Sequence, residues 1–149
     1  MTEVAFYHLT RKPLERAMPE LLEKVVERGL RCVVIAGSDD RVRQLNEHLW
    51  TWDKGSFLPH GAAGDGEPGD HPVWLTAAEE NPNAATVLML VDGQDAGFKG
   101  DFDRCLDMFN GLDEEAVQAA RDRFRAAKSA GHTVTYWKQN DRGGWERGA

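Results

Sequence analysis

Three glycines in the segment GDGEPG, residues 64–69, match the spacing G-x-G-x-x-G of loops that hold the pyrophosphate of a dinucleotide. Such a loop directly follows the first strand and opens the first helix, because the helix N-terminus supplies amides and a dipole to the phosphates. GDGEPG lies in mid-chain, its Pro68 lacks an amide N–H, and its carboxylates would repel an anion. We therefore expect a tight turn that binds no nucleotide cofactor.

Residue types that bind metal ions also cluster here. His60, Asp65, Asp70 and His71 lie within twelve residues of one another. Their spacing matches no established metal-binding pattern, and a solvated polar loop accounts for them equally well. We expect no metal site.

Residues arranged for nucleophilic catalysis are not visible in the sequence. The five histidines are scattered, so no Ser-His-Asp or Cys-His arrangement can be argued. Cys32 and Cys105 are far apart and form no C-x-x-C pair, so we expect two reduced core thiols. The sequence predicts no catalytic residue.

Length, composition and charge narrow the class of protein. A chain of 149 residues with 41% hydrophobic content can bury one core, so we expect a single domain over residues 1–149. No apolar run is long enough to span a membrane and the N-terminus lacks a secretory pattern, so we expect a cytoplasmic protein. The net charge of −7 argues against a broadly basic nucleic-acid-binding surface. Residues 113–149 differ, with 7 Lys and Arg against 6 Asp and Glu.

The first part of the chain predicts strand, helix and strand. Residues 4–9, VAFYHL, indicate a buried strand. A helical stripe follows and stops before Gly29, and Pro19 interrupts it, so we expect the regular helix to begin at Pro19. The stripe consists of Leu14, Ala17, Met18, Leu21, Leu22, Val25 and Val26. Residues 31–36, RCVVIA, predict a strand covered on both faces.

A second helix then begins, capped by Ser38 or Asp39. Its inward residues are Val42, Leu45 and Leu49. This alternation of strand and helix predicts an α/β fold with a mostly parallel sheet.

The middle and the end of the chain contain shorter predicted elements. Apolar pieces at 57–58, 73–75 and 86–91 indicate three strands, and 105–109 indicates one or two helical turns. A well-specified helix covers 114–130. Asp113 caps this helix, Gly131 ends it, a strand follows at 133–137, and DRGGWE at 141–146 predicts a turn or short hairpin.

The last helix carries an apolar face and a basic face side by side. Five residues face the sheet: Ala116, Val117, Ala120, Phe124 and Ala127. Arg121, Arg125 and Lys128 occupy the adjoining arc. This pattern suits a partner segment that ends in acidic and hydrophobic groups. A solvated face is the alternative, because basic residues complement the helix dipole and can pair with Asp122.

Several segments together resemble one protein family. They are FYHL (6–9), LNEHLW (45–50), SFLPHGAAGDG (56–66), PVWL (72–75) and ARDRFRAAKSAGHTV (120–134). Through them, the chain up to about Trp137 resembles the chi subunit of the bacterial DNA polymerase III holoenzyme. The pattern SF-x-PH-x-x-x-G-[DE]-G is the most specific part of this resemblance.

The resemblance implies a fold and a function. The fold is a three-layer α/β/α sandwich with a mostly parallel, Rossmann-like sheet that holds no dinucleotide; its core covers about 1–137 and a C-terminal extension covers 138–149. The function is that of a non-catalytic accessory subunit that links the clamp loader to single-stranded-DNA-binding protein during DNA replication, by holding that protein's acidic, phenylalanine-ended C-terminal tail. We expect a monomer on its own that reaches DNA through its partners.

The resemblance also implies which residues bind the tail. Arg121, Phe124, Arg125 and Lys128 match the basic and aromatic positions of the family's tail site. Val117 stands where the family has a basic residue one turn earlier, so the tail site is expected to be weaker or displaced.

A second partner, the psi subunit, is expected near the SFLPH segment and the helix before it. Phe57 and Trp50 are the candidate anchors. From the residues alone, Trp50 and Trp52 lie at a helix end, where bulky aromatic side chains are more often part of the core.

Two other functions remain as alternatives. One is a small nucleotide-binding enzyme with its ligand loop at GDGEPG or at the strand ends. The other is direct binding of single-stranded DNA through Arg and Trp residues, which the charge of −7 disfavours and for which the pattern shows no aromatic-lined basic groove.

Overall fold

The computed structural model describes residues 2–53, 55, 58–142 and 144–148. Eleven strands and α-helices follow one another in this part of the chain. They are β1 (Glu3–Leu9), α1 (Leu14–Glu27), β2 (Cys32–Ile35), α2 (Asp39–Thr51), β3 (His60–Ala62), β4 (Val73–Thr76), β5 (Val87–Leu90), β6 (Arg104–Asn110), α3 (Glu114–Ser129), β7 (Thr133–Gln139) and β8 (Trp145–Arg147).

All of these strands lie in one sheet with the order β3-β4-β2-β5-β6-β1-β7-β8. Every neighbouring pair is parallel except β7 and β8, which form an antiparallel hairpin at one edge. The mostly parallel α/β sheet predicted from the alternation of elements is confirmed. The hairpin predicted at the C-terminus is also present.

Helices cover both faces of the sheet. Along β1, Ala5 and Leu9 pack into a core with residues of α1 and α2. Val4 and Phe6 point to the opposite face and pack into a core with residues of α3. Because side chains alternate along a strand, β1 contributes to both cores, and the layers form an α/β/α sandwich.

The first helix is longer than the sequence predicts. It begins at Leu14 and continues through Pro19, which was expected to be its first regular residue. Proline cannot donate to the carbonyl four residues earlier, which belongs to Glu15. His48 Nε2 of α2 hydrogen-bonds to that carbonyl oxygen instead. A contact between helices therefore replaces a hydrogen bond within α1.

The one or two helical turns predicted at 105–109 are wrong. These residues belong to β6, which lies between β5 and β1 and is buried from Cys105 to Phe109. Strands with neighbours on both sides and layers on both faces lose the alternating pattern. Asp107, buried in the middle of this strand, also interrupts the apolar run that would have indicated it.

The three predicted middle strands are partly confirmed. β4 and β5 match the pieces at 73–75 and 86–91. The prediction of a strand at 57–58 is wrong for Leu58, because this buried residue precedes the edge strand β3. Phe57 lies outside the described residues.

Both predicted helix caps are confirmed. The Ser38 side chain accepts a hydrogen bond from the Arg41 amide at 3.1 Å, and Val42, Leu45 and Leu49 of α2 are buried. The Asp113 carboxylate accepts from the amides of Glu115 and Ala116 at the start of α3. These caps satisfy amides that have no partner within the helix.

Candidate functional site

The glycine motif forms a tight turn after the edge strand β3. Gly64 and Gly66 have φ angles of +96° and +94°, which side chains disfavour. The Asp65 carboxylate closes the turn by accepting hydrogen bonds from the Ala62 amide at 3.0 Å and Asn46 Nδ2 at 2.9 Å. Gly64 and Gly66 therefore serve the backbone geometry of this turn, as the sequence predicts.

The loop after β1 lies where a dinucleotide-binding fold would hold phosphate. Its amides at Thr10, Arg11 and Lys12 all point at one oxygen, Oε1 of Gln139, at 2.9, 2.7 and 3.0 Å. Gln139 is buried at the end of β7. The sequence could not indicate this contact, because the glutamine is more than 120 residues away along the chain.

The side chains weighed for metal binding and catalysis have structural roles. Both ring nitrogens of His60 contact main-chain carbonyls, those of Leu58 at 2.7 Å and Asn46 at 2.9 Å. In the described part of the chain, no three His, Cys, Asp or Glu residues are grouped to hold a metal ion. Cys32 and Cys105 are free and buried, and burial raises the pKa of both thiols, to about 12 for Cys105.

The last helix turns its apolar face to the sheet as predicted. Ala120 and Ala127 are buried and Phe124 is half-buried, whereas the side chains of the basic arc are exposed. That arc consists of Arg121, Arg125 and Lys128. Arg125 forms an ion pair with Asp122 at 3.2 Å, and both side chains are more than 60% exposed, so this pair contributes little energy and leaves the arginine accessible.

One buried cation of α3 was missed by the sequence analysis. Arg123 faces the sheet and binds the carboxylate of Asp107 in β6 through two hydrogen bonds, of 2.7 and 3.0 Å. Burial raises the pKa of Asp107, and the hydrogen bonds from Arg123 oppose that shift. The signal in the sequence is an aspartate in an apolar strand, whose charge requires a buried partner.

Phe124 joins an aromatic cluster between α3 and the sheet. Its ring centroid lies 5.5 Å from that of Phe6 in β1 and 6.2 Å from that of Tyr136 in β7. Tyr136 in turn hydrogen-bonds to Nδ1 of His8. The half-buried rings form an apolar floor beside the exposed cations of the helix.

Arg121 lies close enough to His8 and Tyr136 for its charge to act on both. Burial lowers the pKa of His8, a main-chain hydrogen bond with Gly111 opposes this, and the charges of Lys138 and Arg121 lower it further. Burial also raises the pKa of Tyr136. We call this region the α3 surface. It comprises His8, Arg121, Phe124, Arg125, Lys128, Tyr136 and Lys138.

Trp50 lies at the other end of the sheet from the α3 surface. It is 56% exposed, so the expectation of a core position is wrong for this tryptophan, while Trp52 is half-buried. The Trp50 ring lies 4.3 Å from the ring of buried His60 in β3. Since β3 and the β7–β8 hairpin are the opposite edges of the sheet, the two regions are separated by its width.

Comparison with known families gives one match over most of the chain. The profile of the family described as "DNA polymerase III chi subunit, HolC" matches residues 1–135. The chain belongs to this family. The chi match ends within β7, so the rest of β7 and all of β8 lie beyond it.

Individual relatives are similar to the chain at moderate identity. DNA polymerase III subunit chi of Pseudomonas aeruginosa is 29% identical over 138 residues, covering 90% of this chain and 94% of the relative. The subunit chi of Escherichia coli K12 is 27% identical over 129 residues, covering 84% and 86%. A Rickettsia prowazekii protein named "Probable DNA polymerase III subunit chi" is 30% identical over 95 residues, which span 64% of this chain and 58% of that protein.

None of the helices in the described part of this chi-family chain is long and apolar enough to cross a membrane.

Proposed function

We propose that this chi-family subunit is a non-catalytic adaptor that holds the acidic, phenylalanine-ended C-terminal tail of single-stranded-DNA-binding protein on its α3 surface. In this role it links that protein to the clamp loader of the replicative polymerase in the cytoplasm, and DNA reaches this site only through the partner. The proposal rests on one observation above all, which is the position of exposed Arg121 beside the half-buried rings of Phe124 and Tyr136.

The chemistry of this surface complements such a tail. The guanidinium of Arg121 can donate two parallel hydrogen bonds to a carboxylate, and the neighbouring rings can contact a terminal aromatic side chain. Arg125, Lys128 and Lys138 are exposed and supply further positive charge for the other acids of the tail. Because these cations face solvent, their attraction is partly screened, and affinity should be modest and salt-sensitive.

Val117 stands where the family has a basic residue, so α3 supplies less positive charge to the tail site than the family pattern implies. Val117 is half-buried and packs with the α3 core. His8 and Lys138 add a titratable ring and a positive charge on the strands that border the helix. We infer that part of the tail's negative charge is bound from β1 and β7 instead of from the first turns of α3.

The second partner, a psi-like subunit of the clamp loader, is assigned to the surface around Trp50. Exposed tryptophans are frequent anchors in interfaces, because one ring removes a large apolar area from water. Trp50 contacts His60, which is held by two main-chain carbonyls, so the ring rests on a rigid support. Phe57, the other anchor expected from the resemblance, lies outside the described residues.

The alternative of a small nucleotide-binding enzyme is disfavoured by two features. GDGEPG follows an edge strand and opens no α-helix, and the amides after β1 already bind Gln139. An enzyme of this kind would be stabilised by nucleotides, because a ligand that binds only the folded state raises the melting temperature. Melting curves with millimolar ATP, NAD and nucleoside phosphates therefore separate the two functions.

Fluorescence polarisation tests the tail site directly. A labelled acidic peptide ending in Asp and Phe should bind in a salt-sensitive manner, and a peptide without the terminal Phe should bind much more weakly. Arg121→Ala should weaken binding about tenfold or more, since a hydrogen bond to a charged group is worth about 1.5–3 kcal/mol. Arg43→Ala, at an exposed arginine of α2, is the control. Unchanged binding by a folded Arg121→Ala variant would show that the tail site lies elsewhere.

A further inference from the structure

A cavity of about 210 Å³ lies on the face of the sheet opposite α3. Aromatic and basic side chains line much of it: Tyr7, Trp137 and Trp145 supply rings, and Lys24, Arg28 and Arg104 supply positive charges. The rest of the lining is aliphatic. Neither the proposed tail site nor the surface around Trp50 uses any of these residues.

The aromatic wall is built from three strands. Tyr7 in β1 and Trp145 in β8 are in edge contact, with ring centroids 5.0 Å apart and planes at 77°. Trp137 in β7 fixes its indole by donating to Thr135 Oγ1 at 3.1 Å. All three rings are half-buried, so each keeps part of its surface exposed.

The cations stand around these rings. Lys24 and Arg28 are exposed, lie one turn apart at the end of α1, and form no ion pair within the described part of the chain. Arg104 is half-buried and forms an ion pair with Glu3, with 3.3 Å between Arg104 Nη2 and Glu3 Oε1. Arg147 is paired with Trp137 across the hairpin and therefore lies on the same face of the sheet. Exposed positive charge thus surrounds an aromatic cavity in a protein of net charge −7.

The hairpin that completes the cavity lies mostly beyond the chi-family match, which ends within β7. It is held by main-chain hydrogen bonds from Asn140 to Gly144 at 2.9 Å and from Gly148 to Tyr136 at 2.6 Å. Without β8, Trp145 would be absent and Tyr7 would lose the ring with which it is in edge contact. Of the residues that line the cavity, only Trp137 and Trp145 lie beyond the residues that the family model matches.

The size of the cavity limits what it can hold. Sites that enclose a whole small-molecule ligand have volumes of about 300–1,000 Å³. The present cavity is smaller, so it has room for one planar ring. The groups attached to that ring then remain outside the cavity, near the cations. A nucleotide within a single strand has this construction, because each unit joins one flat base to one phosphate.

We propose that this cavity binds single-stranded DNA, with one base stacked on the ring of Trp145 and in edge contact with Tyr7, and the adjoining phosphates held by Arg28 and Lys24. The sequence pattern shows no aromatic-lined basic groove, because the residues that line this cavity are far apart along the chain. The rings come from β1, β7 and β8 and the cations from α1 and β6, so only the fold brings them together. A nucleic acid is favoured over an acidic peptide because every nucleotide joins a flat ring to a charged group, and the cavity places its rings beside Lys24 and Arg28 in the same way.

This site does not depend on the proposed tail site, which lies on the other face of the sheet. Fluorescence anisotropy of a labelled oligothymidine with the full chain, at low and physiological salt, tests it. Trp145→Ala and Arg28→Glu should each weaken binding about tenfold, and Trp145→Phe should retain most of it. Arg28→Glu should also reduce the slope of affinity against salt concentration. Arg43→Glu is the control, because it makes the same change in net charge at an exposed residue of α2. This variant should bind oligothymidine at least as well as Trp145→Phe does.

Three results would overturn the proposal. The first is no oligothymidine binding by the wild-type protein at low salt. The second is unchanged binding in both Trp145→Ala and Arg28→Glu; the arginine is exposed, so its variant reports on the site even if Trp145→Ala fails to fold. The third is binding of the acidic, phenylalanine-ended peptide that is lost in Arg28→Glu and kept in Arg121→Ala, because a peptide would then occupy the cavity.

Discussion

His8 is a titratable side chain of the α3 surface, and both aromatic rings and cations lie near it. Its ring lies 5.1 Å from that of Phe109 and hydrogen-bonds to Tyr136, and a Cβ at Gly111 would come within 1.9 Å of it. The cations that act on it are Lys138 from β7 and Arg121 from α3. Burial and these charges favour the neutral ring, so a proton placed on His8 costs free energy in the unliganded protein.

The pKa of His8 leads to a prediction about stability and pH. The folded protein holds the proton of His8 less readily than the unfolded chain does, so the free energy of unfolding should fall as the pH decreases through 6.5. His8→Gln should remove this contribution and give a shallower dependence between pH 7.5 and about 5.5. Urea unfolding of both proteins across this range measures the difference. Equal slopes would mean that His8 titrates alike in both states.

At the scale of the elements, buried polar contacts hold helices in place. The bidentate bond between Arg123 and Asp107 ties α3 to the centre of the sheet through β6. His48 of α2 satisfies the carbonyl that Pro19 leaves free in α1. The first contact joins α3 to the sheet and the second joins α2 to α1.

Removing one member of the buried pair should be strongly destabilising. Asp107→Ala would leave the guanidinium of Arg123 buried without a partner, at a cost of about 3–5 kcal/mol. Replacing both, as Asp107→Leu with Arg123→Met, should recover most of this loss because apolar groups of similar size need no hydrogen bond. Chemical denaturation measures the free energies of unfolding of the wild-type protein, Asp107→Ala and the double variant. A double variant as unstable as Asp107→Ala would show that packing at this site matters more than the unpaired charge.

The contact between His48 and α1 can be tested with a double-mutant cycle. His48→Ala should destabilise the protein by about 1 kcal/mol, since the Glu15 carbonyl loses its donor. In a Pro19→Ala background the helix regains an amide for that carbonyl, so His48→Ala should cost less. The free energies of unfolding of the four proteins give the coupling. Additive effects would indicate that the carbonyl is satisfied by water in either case.

For the whole molecule, the order of the strands separates the binding surfaces. The α3 surface adjoins β1 and β7, the cavity proposed to bind DNA lies across the sheet from it, and Trp50 lies beside β3 at the far edge. A parallel sheet with helices on both faces is rigid, so such surfaces can be occupied together. This geometry suits an adaptor that holds several partners at once.

The separation predicts independent effects of substitutions. Trp50→Ala should leave the affinity for the acidic tail peptide unchanged within about twofold, because distant sites without shared partners behave additively. The same variant should weaken capture of a psi-like partner. Polarisation titrations of Trp50→Ala and Arg121→Ala, singly and together, check the first point. A large effect of Trp50→Ala on tail binding would require coupling through the sheet.

Much of the architecture could be predicted because it depends on local signals. The caps at Ser38 and Asp113 and the helix ends before Gly29 and Gly131 all appear where the local chemistry places them. The basic arc of α3 follows from helical periodicity alone. The strand at 105–109 was missed because burial on every side removes periodicity.

The sequence by itself determined an α/β chain that resembles the chi family and whose glycine motif forms a turn, since periodicity, caps and motif context are encoded by near neighbours. The tertiary structure alone decided the pairing of Arg123 with Asp107, the capture of the Thr10–Lys12 amides by Gln139, and the gathering of Tyr7, Trp137 and Trp145 around one cavity. The physical reason is the sheet order. Parallel neighbours such as β6, β1 and β7 are far apart in the chain, so contacts between them leave no local pattern to detect.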